Sequence, residues 1–131
     1  MALDPAAFPD EVIAFLTERH LATLTTIRPD GTPHVVAVGF TWDPDAALVR
    51  VITWADSHKA RNVARQGSVA AAVCQVDGGR WLTIEGIATV TDDPGAVAEG
   101  VRRYTERYRP PKERTDRVVI EIAVTRAMGR A

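Results

Sequence analysis

The 131-residue chain has few of the residues that mark secreted, metal-binding or membrane proteins. It has one cysteine, Cys74, so an internal disulfide is excluded and a reducing compartment is expected. The three histidines are dispersed without paired spacing, which argues against a metal site. No apolar run approaches the roughly 20 residues of a membrane span, and the first residues do not resemble a secretory signal. These absences predict a cytoplasmic protein without a membrane partner.

The chain also has little net charge. Sixteen basic and seventeen acidic residues give a formal charge of -1 and an isoelectric point near 6.3. A global basic field is therefore missing, and nucleic acid is not an expected partner. The glycine motifs of Walker and dinucleotide-binding loops are absent, and so is the G-x-S-x-G frame of many hydrolases. Any anion site must therefore be local and of another kind.

The residues that are present predict one domain, residues 1–131, with helices and strands. Hydrophobic periodicity and turn-forming tripeptides define the elements. The predicted helices cover residues 9–19, 58–66 and 94–108, and the predicted strands cover residues 20–27, 33–41, 47–54, 68–76, 80–91 and 117–124. Six mostly antiparallel strands with short connections predict an α+β, mainly β fold. A closed or split barrel with flanking helices would hide the strand edges.

The second predicted helix has an unusual charge at its start. Ser57 is placed as the N-cap and Gly67 as the C-terminal stop. Its first turn then carries three basic residues: His58, Lys59 and Arg61. This sign is unfavourable, because the free N–H groups and the helix dipole favour acidic side chains. Two explanations fit equally well: a solvated basic face compensated by Asp56, or a bound phosphate held by the N–H groups, Ser57 and the basic side chains.

Other polar and aromatic residues allow both a structural and a functional interpretation. His34 follows Pro33 at the start of a strand, where a histidine is more often a hydrogen-bonded edge residue than a ligand contact. Arg80 and Trp81 open a strand directly after a glycine turn. They could pack across strands, or they could pair with and stack on a flat anionic ligand.

Four segments carry a resemblance to a known family: residues 20–26, 31–40, 52–62 and 80–86. In this order they are similar to the pyridoxamine 5'-phosphate oxidase-like split-barrel superfamily, and the match spans nearly the whole chain. Within it the chain most resembles the flavin/deazaflavin oxidoreductases of actinobacteria that use reduced coenzyme F420. Residues 33–42, 75–82 and 104–111 look like the biliverdin reductase type of that group.

The resemblance implies an FMN-binding type of split barrel that forms a homodimer, with a cofactor groove at the interface. The strand end would hold the phosphate together with the helix start, and the ring would lie on the second strand. The residues implied for one subunit are His34, Val36, Ala37, Val38, Gly39, Thr53, Trp54, Ser57, His58, Lys59, Arg61 and Asn62. Those implied for the other subunit are Gln75, Arg80 and Trp81. On charge alone, Arg28, Arg61 and Arg65 are candidates for binding a polyglutamyl tail.

Three functions remain open from the sequence. The first is reduction of a flat conjugated small molecule, biliverdin in the favoured case, with coenzyme F420. The second is an FMN-dependent oxidase or reductase of the same fold, and FMN lacks the glutamyl tail. The third is a non-catalytic protein that binds a flavin or a tetrapyrrole. No residue of the chain is identifiable as a proton donor or as otherwise catalytic.

Overall fold

An antiparallel sheet forms most of the protein, whose 131 residues are all described by the computed structural model. The eight strands are β1 (Ala2–Leu3), β2 (Ala22–Ile27), β3 (Pro33–Val38), β4 (Thr41–Asp43), β5 (Leu48–Trp54), β6 (Val69–Asp77), β7 (Arg80–Thr91) and β8 (Arg117–Arg130). The three helices are α1 (Asp10–Thr17), α2 (His58–Gln66) and α3 (Pro94–Arg107). All six predicted strands and all three predicted helices are present. None of the helices is long and apolar enough to cross a membrane.

Two short strands are missing from the sequence prediction. The predicted strand after Pro33 ends at Val38, and Thr41–Asp43 forms the separate strand β4, which pairs with β5. Strand β1 pairs with the end of β8, which continues past its predicted end at Val124. These segments are held by main-chain pairing with distant strands, so their own residue patterns carry little signal.

The sheet follows the order β3-β2-β6-β7-β8-β5-β4, and β1 is attached to β8. Strands β3 and β4 adjoin in the chain yet lie at opposite ends of this order, and no pairing joins them. The sheet therefore curls without closing, as the split-barrel prediction requires. The opening between β3 and β4 places the main chain around Gly39 and Phe40 at a corner of the barrel.

The hydrophobic core fills the concave side of the sheet. Its largest fully buried side chains include Phe15 from α1, Phe40 from the corner, and Leu24, Leu82, Ile84, Ile120 and Ile122 from the strands. The opposite side of β3, β2, β6 and β7 is uncovered and carries large apolar side chains. Val35 is 58% exposed, Val76 60% and Ile87 44%. The uncovered face therefore carries several exposed apolar side chains among polar ones such as Thr25 and Glu85.

Candidate functional site

Helix α2 begins where the sequence predicts. The Oγ of Ser57 accepts a hydrogen bond from the N–H of Ala60 at 3.2 Å, and the Thr53 hydroxyl donates to the same oxygen at 3.0 Å. Both side chains are buried, so the helix cap is joined rigidly to the end of β5. Asp56 lies 3.8 Å from the Nε of Arg61 but is 88% exposed, so water largely screens this contact. The basic first turn is therefore poorly compensated within the chain.

One flank of α2 borders a polar groove of about 250 Å³. Its lining residues are Arg28, Pro29, His34, His58, Arg61, Asn62 and Arg65, and none of them is acidic. The Nδ1 of His34 and the Nε of Arg61 are buried there without a hydrogen-bond partner. Such atoms are costly to leave unpaired, so both are available to accept or donate a hydrogen bond to a polar ligand. Burial, aided by the charges of Arg28, His58 and Lys59, lowers the pKa of His34.

The other flank of α2 borders a more apolar groove of about 190 Å³. Six of its lining residues are among those implied by the resemblance: Ala37, Val38, Gly39, Thr53, Trp54 and Lys59. Four others were not singled out as site residues: Ile52, Tyr104, Pro111 and Arg117. Strand β3 and helix α2 contribute to both grooves, which makes them neighbouring parts of one surface.

Lys59 is the basic residue of the α2 start that faces the apolar groove. Its Nζ lies 5.2 Å from the centre of the Trp54 ring, a cation–π contact, and it forms no ion pair. The side chain is half-buried, and this burial lowers the pKa of its ammonium group. A partly desolvated cation without a carboxylate partner stabilises an incoming anion more than a solvated one would.

Gly39 forms the floor of the apolar groove because two tyrosines leave no room for a side chain. A Cβ atom at this position would lie 3.0 Å from the ring of Tyr108 and 3.1 Å from that of Tyr104. The Tyr108 hydroxyl accepts from the N–H of Phe40 at 3.2 Å and donates to the carbonyl of His20 at 2.7 Å. Helix α3 thus braces the barrel corner from which the groove floor is built.

Gln75 differs from its expected role. Its side chain is fully buried, donates from Nε2 to the Phe15 carbonyl at 2.9 Å, and accepts from the Nη2 of Arg107. Arg107 also donates to the carbonyls of Glu18 at 2.9 Å and Phe40 at 2.7 Å. The amide therefore lies buried inside this network, because the inward face of β6 places position 75 in the core.

Two further predicted contacts have structural partners. Val36 packs against the hydrophobic core rather than lining a groove. The Nδ2 of Asn62 donates to the Thr26 hydroxyl at 2.6 Å and so fastens α2 to β2, although Asn62 also lines the polar groove. Val36 and Asn62 thus hold β3 and α2 in place beside the grooves.

Arg80 and Trp81 line neither groove of their own chain. They open β7, whereas α2 packs beside Val90 and Thr91 near the end of that strand. The separation along β7 is roughly 30 Å at the usual rise of a strand. Arg80 donates to both carboxylate oxygens of Glu18, at 2.9 and 2.8 Å. One chain alone therefore does not unite these residues with the α2 start.

Residues 8–130 match the family model of pyridoxamine 5'-phosphate oxidase. The chain belongs to this family. It is 52% identical over 122 residues to an F420H2-dependent biliverdin reductase of Mycobacterium tuberculosis (strain CDC 1551 / Oshkosh), covering 93% of this chain and 88% of that protein. The resemblance stated from the sequence is therefore confirmed.

Two solved structures have the same fold. One, an F420 reductase, is 27% identical with a TM-score of 0.72, covering 92% of this chain and 98% of that chain. The other, a conserved hypothetical protein from Mycobacterium tuberculosis, is 25% identical with a TM-score of 0.73, covering 99% and 89%. These likenesses support the assignment of the split barrel to this family.

The residues present fit a flat anionic cofactor. The apolar groove has a smooth floor at Ala37 and Gly39, and the polar groove contains the unpartnered Nδ1 of His34 and Nε of Arg61. Of the additional lining residues, Tyr104 and Pro111 fall within the segment 104–111 that carried the family resemblance. The resemblance of that segment was the only sequence signal for Tyr104 and Pro111. Arg117 reaches the groove because β8 folds beside it.

Proposed function

We propose that this protein reduces a flat conjugated molecule, biliverdin in the favoured case, with reduced coenzyme F420. The continuity of the two grooves along β3 carries this proposal. His34 lines the polar groove and Val38 the apolar one, four residues apart on the same face of β3. This spacing corresponds to roughly 13 Å of extended chain. A ligand with a flat ring and an acidic tail would meet an apolar floor and then a cluster of cations.

The side chains of this site bind and orient. Lys59 and the free N–H groups of α2 offer a phosphate position, and Arg61 with Arg65 offers countercharge for a longer acidic tail. The rings of Tyr104 and Tyr108 pack against Gly39 and fix the position of the groove floor. A fixed floor would hold the cofactor ring in the orientation that hydride transfer requires. When bound, the reduced deazaflavin supplies the hydride, so the protein needs no redox group of its own.

Coenzyme F420 is favoured over FMN by the number of cations in the polar groove. A single phosphate can be satisfied by the α2 start alone, whereas Arg28 and Arg65 lie further along this groove and form no ion pair. FMN has no group that would use them. The 52% identity to a protein named for its use of F420H2 supports the same choice.

We also propose that the working unit is a homodimer. The uncovered face of the sheet presents Val35, Ala37, Val76 and Ile87, where an exposed antiparallel sheet normally carries polar residues. Packing two such faces together would bury these side chains. It would also bring Arg80 and Trp81 of a second copy towards the apolar groove.

The dimer proposal is tested by light scattering on a Val76→Lys, Ile87→Lys double variant. The wild type is expected to be a dimer and the variant a monomer with weakened cofactor binding. Ile13→Lys, which alters an exposed position of α1, is the matched control and should remain dimeric. A wild-type monomer with full cofactor affinity would refute the proposal.

The unpaired Cys74 favours the cytoplasm as the compartment.

Fluorescence titration of the purified protein with F420 and with FMN tests the cofactor. Tighter binding of F420 is expected, and retention of FMN through purification without F420 binding would establish the alternative. Anaerobic mixing with reduced F420 and biliverdin then tests catalysis by the bleaching of biliverdin absorbance. Binding of both compounds without repeated turnover would identify a non-catalytic binding protein.

A further inference from the structure

A further cavity of the protein lies outside both grooves. It has a volume of about 570 Å³ and separates α3 from the segment 111–117 that leads into β8. Val97 and Val101 form its apolar wall on α3. This volume falls in the range of roughly 300 to 1,000 Å³ that is typical of small-molecule sites. Nothing in the proposed cofactor site uses this space.

The cavity is contiguous with the apolar groove. Pro111 and Arg117 line both spaces, so they form the wall between them. The Nη2 of Arg117 donates to the Lys112 carbonyl at 2.6 Å, which holds the guanidinium at this junction. A ligand in the apolar groove could therefore extend a side chain past Arg117 into the cavity.

Three cations line the cavity, Lys112, Arg114 and Arg117, together with one carboxylate, that of Glu113, which forms no ion pair. Arg114 is paired with Asp116 through contacts of 2.8 and 3.1 Å, so its charge is already compensated. Arg117 and Lys112 form no ion pair. Burial lowers the pKa of Arg117, and the neighbouring Arg114 adds to this effect. Two cations without partners thus remain at the entrance, beside an apolar wall.

We infer that this cavity is a subsite for the carboxylate side chains of the substrate. The conjugated part would lie over the cofactor ring at the mouth of the apolar groove, and the acids would pair with Arg117 and Lys112. Val97 and Val101 suit the methylene stems that carry such acids, as in the propionates of a linear tetrapyrrole. This inference rests on the proposed function. The acidic groups of the cofactor have their own cations on the opposite flank of the groove, around Arg61 and Arg65.

The test compares biliverdin with its dimethyl ester, which keeps the conjugated system and lacks both charges. Affinity is measured by absorbance titration of the protein without cofactor, and KM by turnover with reduced F420. The wild type should prefer the diacid by about tenfold or more, the size of one charge-assisted hydrogen bond. Arg117→Gln and Lys112→Gln should each reduce this preference severalfold, and Lys112→Gln, which alters a residue outside both grooves, should leave F420 affinity unchanged.

The controls separate the subsite from the proposed function. Arg102→Gln changes an arginine of α3 that is paired with Glu99 and Glu106 and should keep the full preference. Equal binding of acid and ester by the wild type would overturn the subsite, and so would an unaltered preference in both variants. A loss of F420 affinity in Arg117→Gln would assign this residue to the cofactor instead. Absence of F420 binding or turnover in the wild type would refute the proposed function itself. Lys112 is exposed, so its variant is expected to fold even if that of Arg117 does not.

Discussion

The arginines on the outer side of α3 and the cations around α2 have opposite surroundings. Arg102 pairs with Glu99 at 2.8 Å and with Glu106 at 2.7 Å, and Arg103 pairs with Glu99 at 2.7 Å. Lys59 and Arg65, by contrast, have no carboxylate partner, although both line a groove. Charges that are compensated within the chain add little beyond solubility and modest stability. Charges left without partners beside concave surfaces indicate where a ligand completes the structure.

Arg107 gives this comparison its sharpest test, because it has no carboxylate partner and yet is satisfied by three acceptors. Replacing it in Arg107→Ala would leave the carbonyls of Glu18 and Phe40 and the Oε1 of Gln75 without this donor. A loss of about 3 to 5 kcal/mol in the free energy of unfolding is expected from buried groups left unpaired. Urea denaturation measures it, with Arg102→Ala as the exposed control. A loss no larger than that of the control would show that burial and pairing do not distinguish these arginines.

Lys59 should affect binding and not folding. Lys59→Ala removes a cation from a helix N-terminus, where its dipole contact is unfavourable by about 0.3 to 1 kcal/mol, so the melting temperature should stay constant or rise. The affinity for F420 should fall about tenfold or more, since a charge-assisted hydrogen bond is lost. Fluorescence titration and thermal melts at low and high salt measure both, and the advantage of the wild type should shrink with salt. If Lys59→Ala binds F420 as tightly as the wild type at low salt, the phosphate does not bind at Lys59.

Arg65 separates the two cofactors by a smaller effect. Because it lies in the polar groove near the end of α2, Arg65→Ala should weaken F420 binding by roughly twofold to fivefold, the value of an exposed ion pair. FMN binding should not change, since FMN has no tail to reach this side chain. Parallel titrations with both cofactors measure the difference. An equal loss for both would place Arg65 at the phosphate instead of at the tail.

His34 should produce the smallest effect, a change in the pH dependence of stability. Burial lowers the pKa of His34 in the folded protein from the ordinary histidine value of 6.5. Below that value the unfolded chain binds a proton that the folded protein takes up less readily. The contribution of neutral His34 is therefore fully present above pH 6.5 and is lost as the pH falls towards the lowered folded value. The melting temperature of His34→Gln should decline less than that of the wild type between pH 7 and about pH 5.5. If the melting temperatures of the two proteins fall equally with pH, the pKa of His34 is not lowered by folding.

Local sequence patterns predict the helix start of α2 and all six long strands, because capping residues and strand periodicity act within a few residues. The inward position of Gln75 was also readable, since it alternates with Ala71 and Val73 on the buried face of β6. Arg117 and Tyr104 could not be assigned to the groove in this way. They meet there because α3 and the start of β8 fold against β3 and β5, and no local pattern encodes such distant contacts.

The central position of β8 sets the order of events during synthesis. This strand pairs with β7, β5 and β1, and it is the last strand along the chain. Until residues 117–130 leave the ribosome, the β4–β5 hairpin has no neighbour in the sheet, and one edge of β7 is unpaired. Contacts between such distant parts of a sequence form slowly, and an open strand edge invites pairing with another chain. The barrel is therefore completed only after translation of its final strand, and the β7 edge stays open to other chains until then.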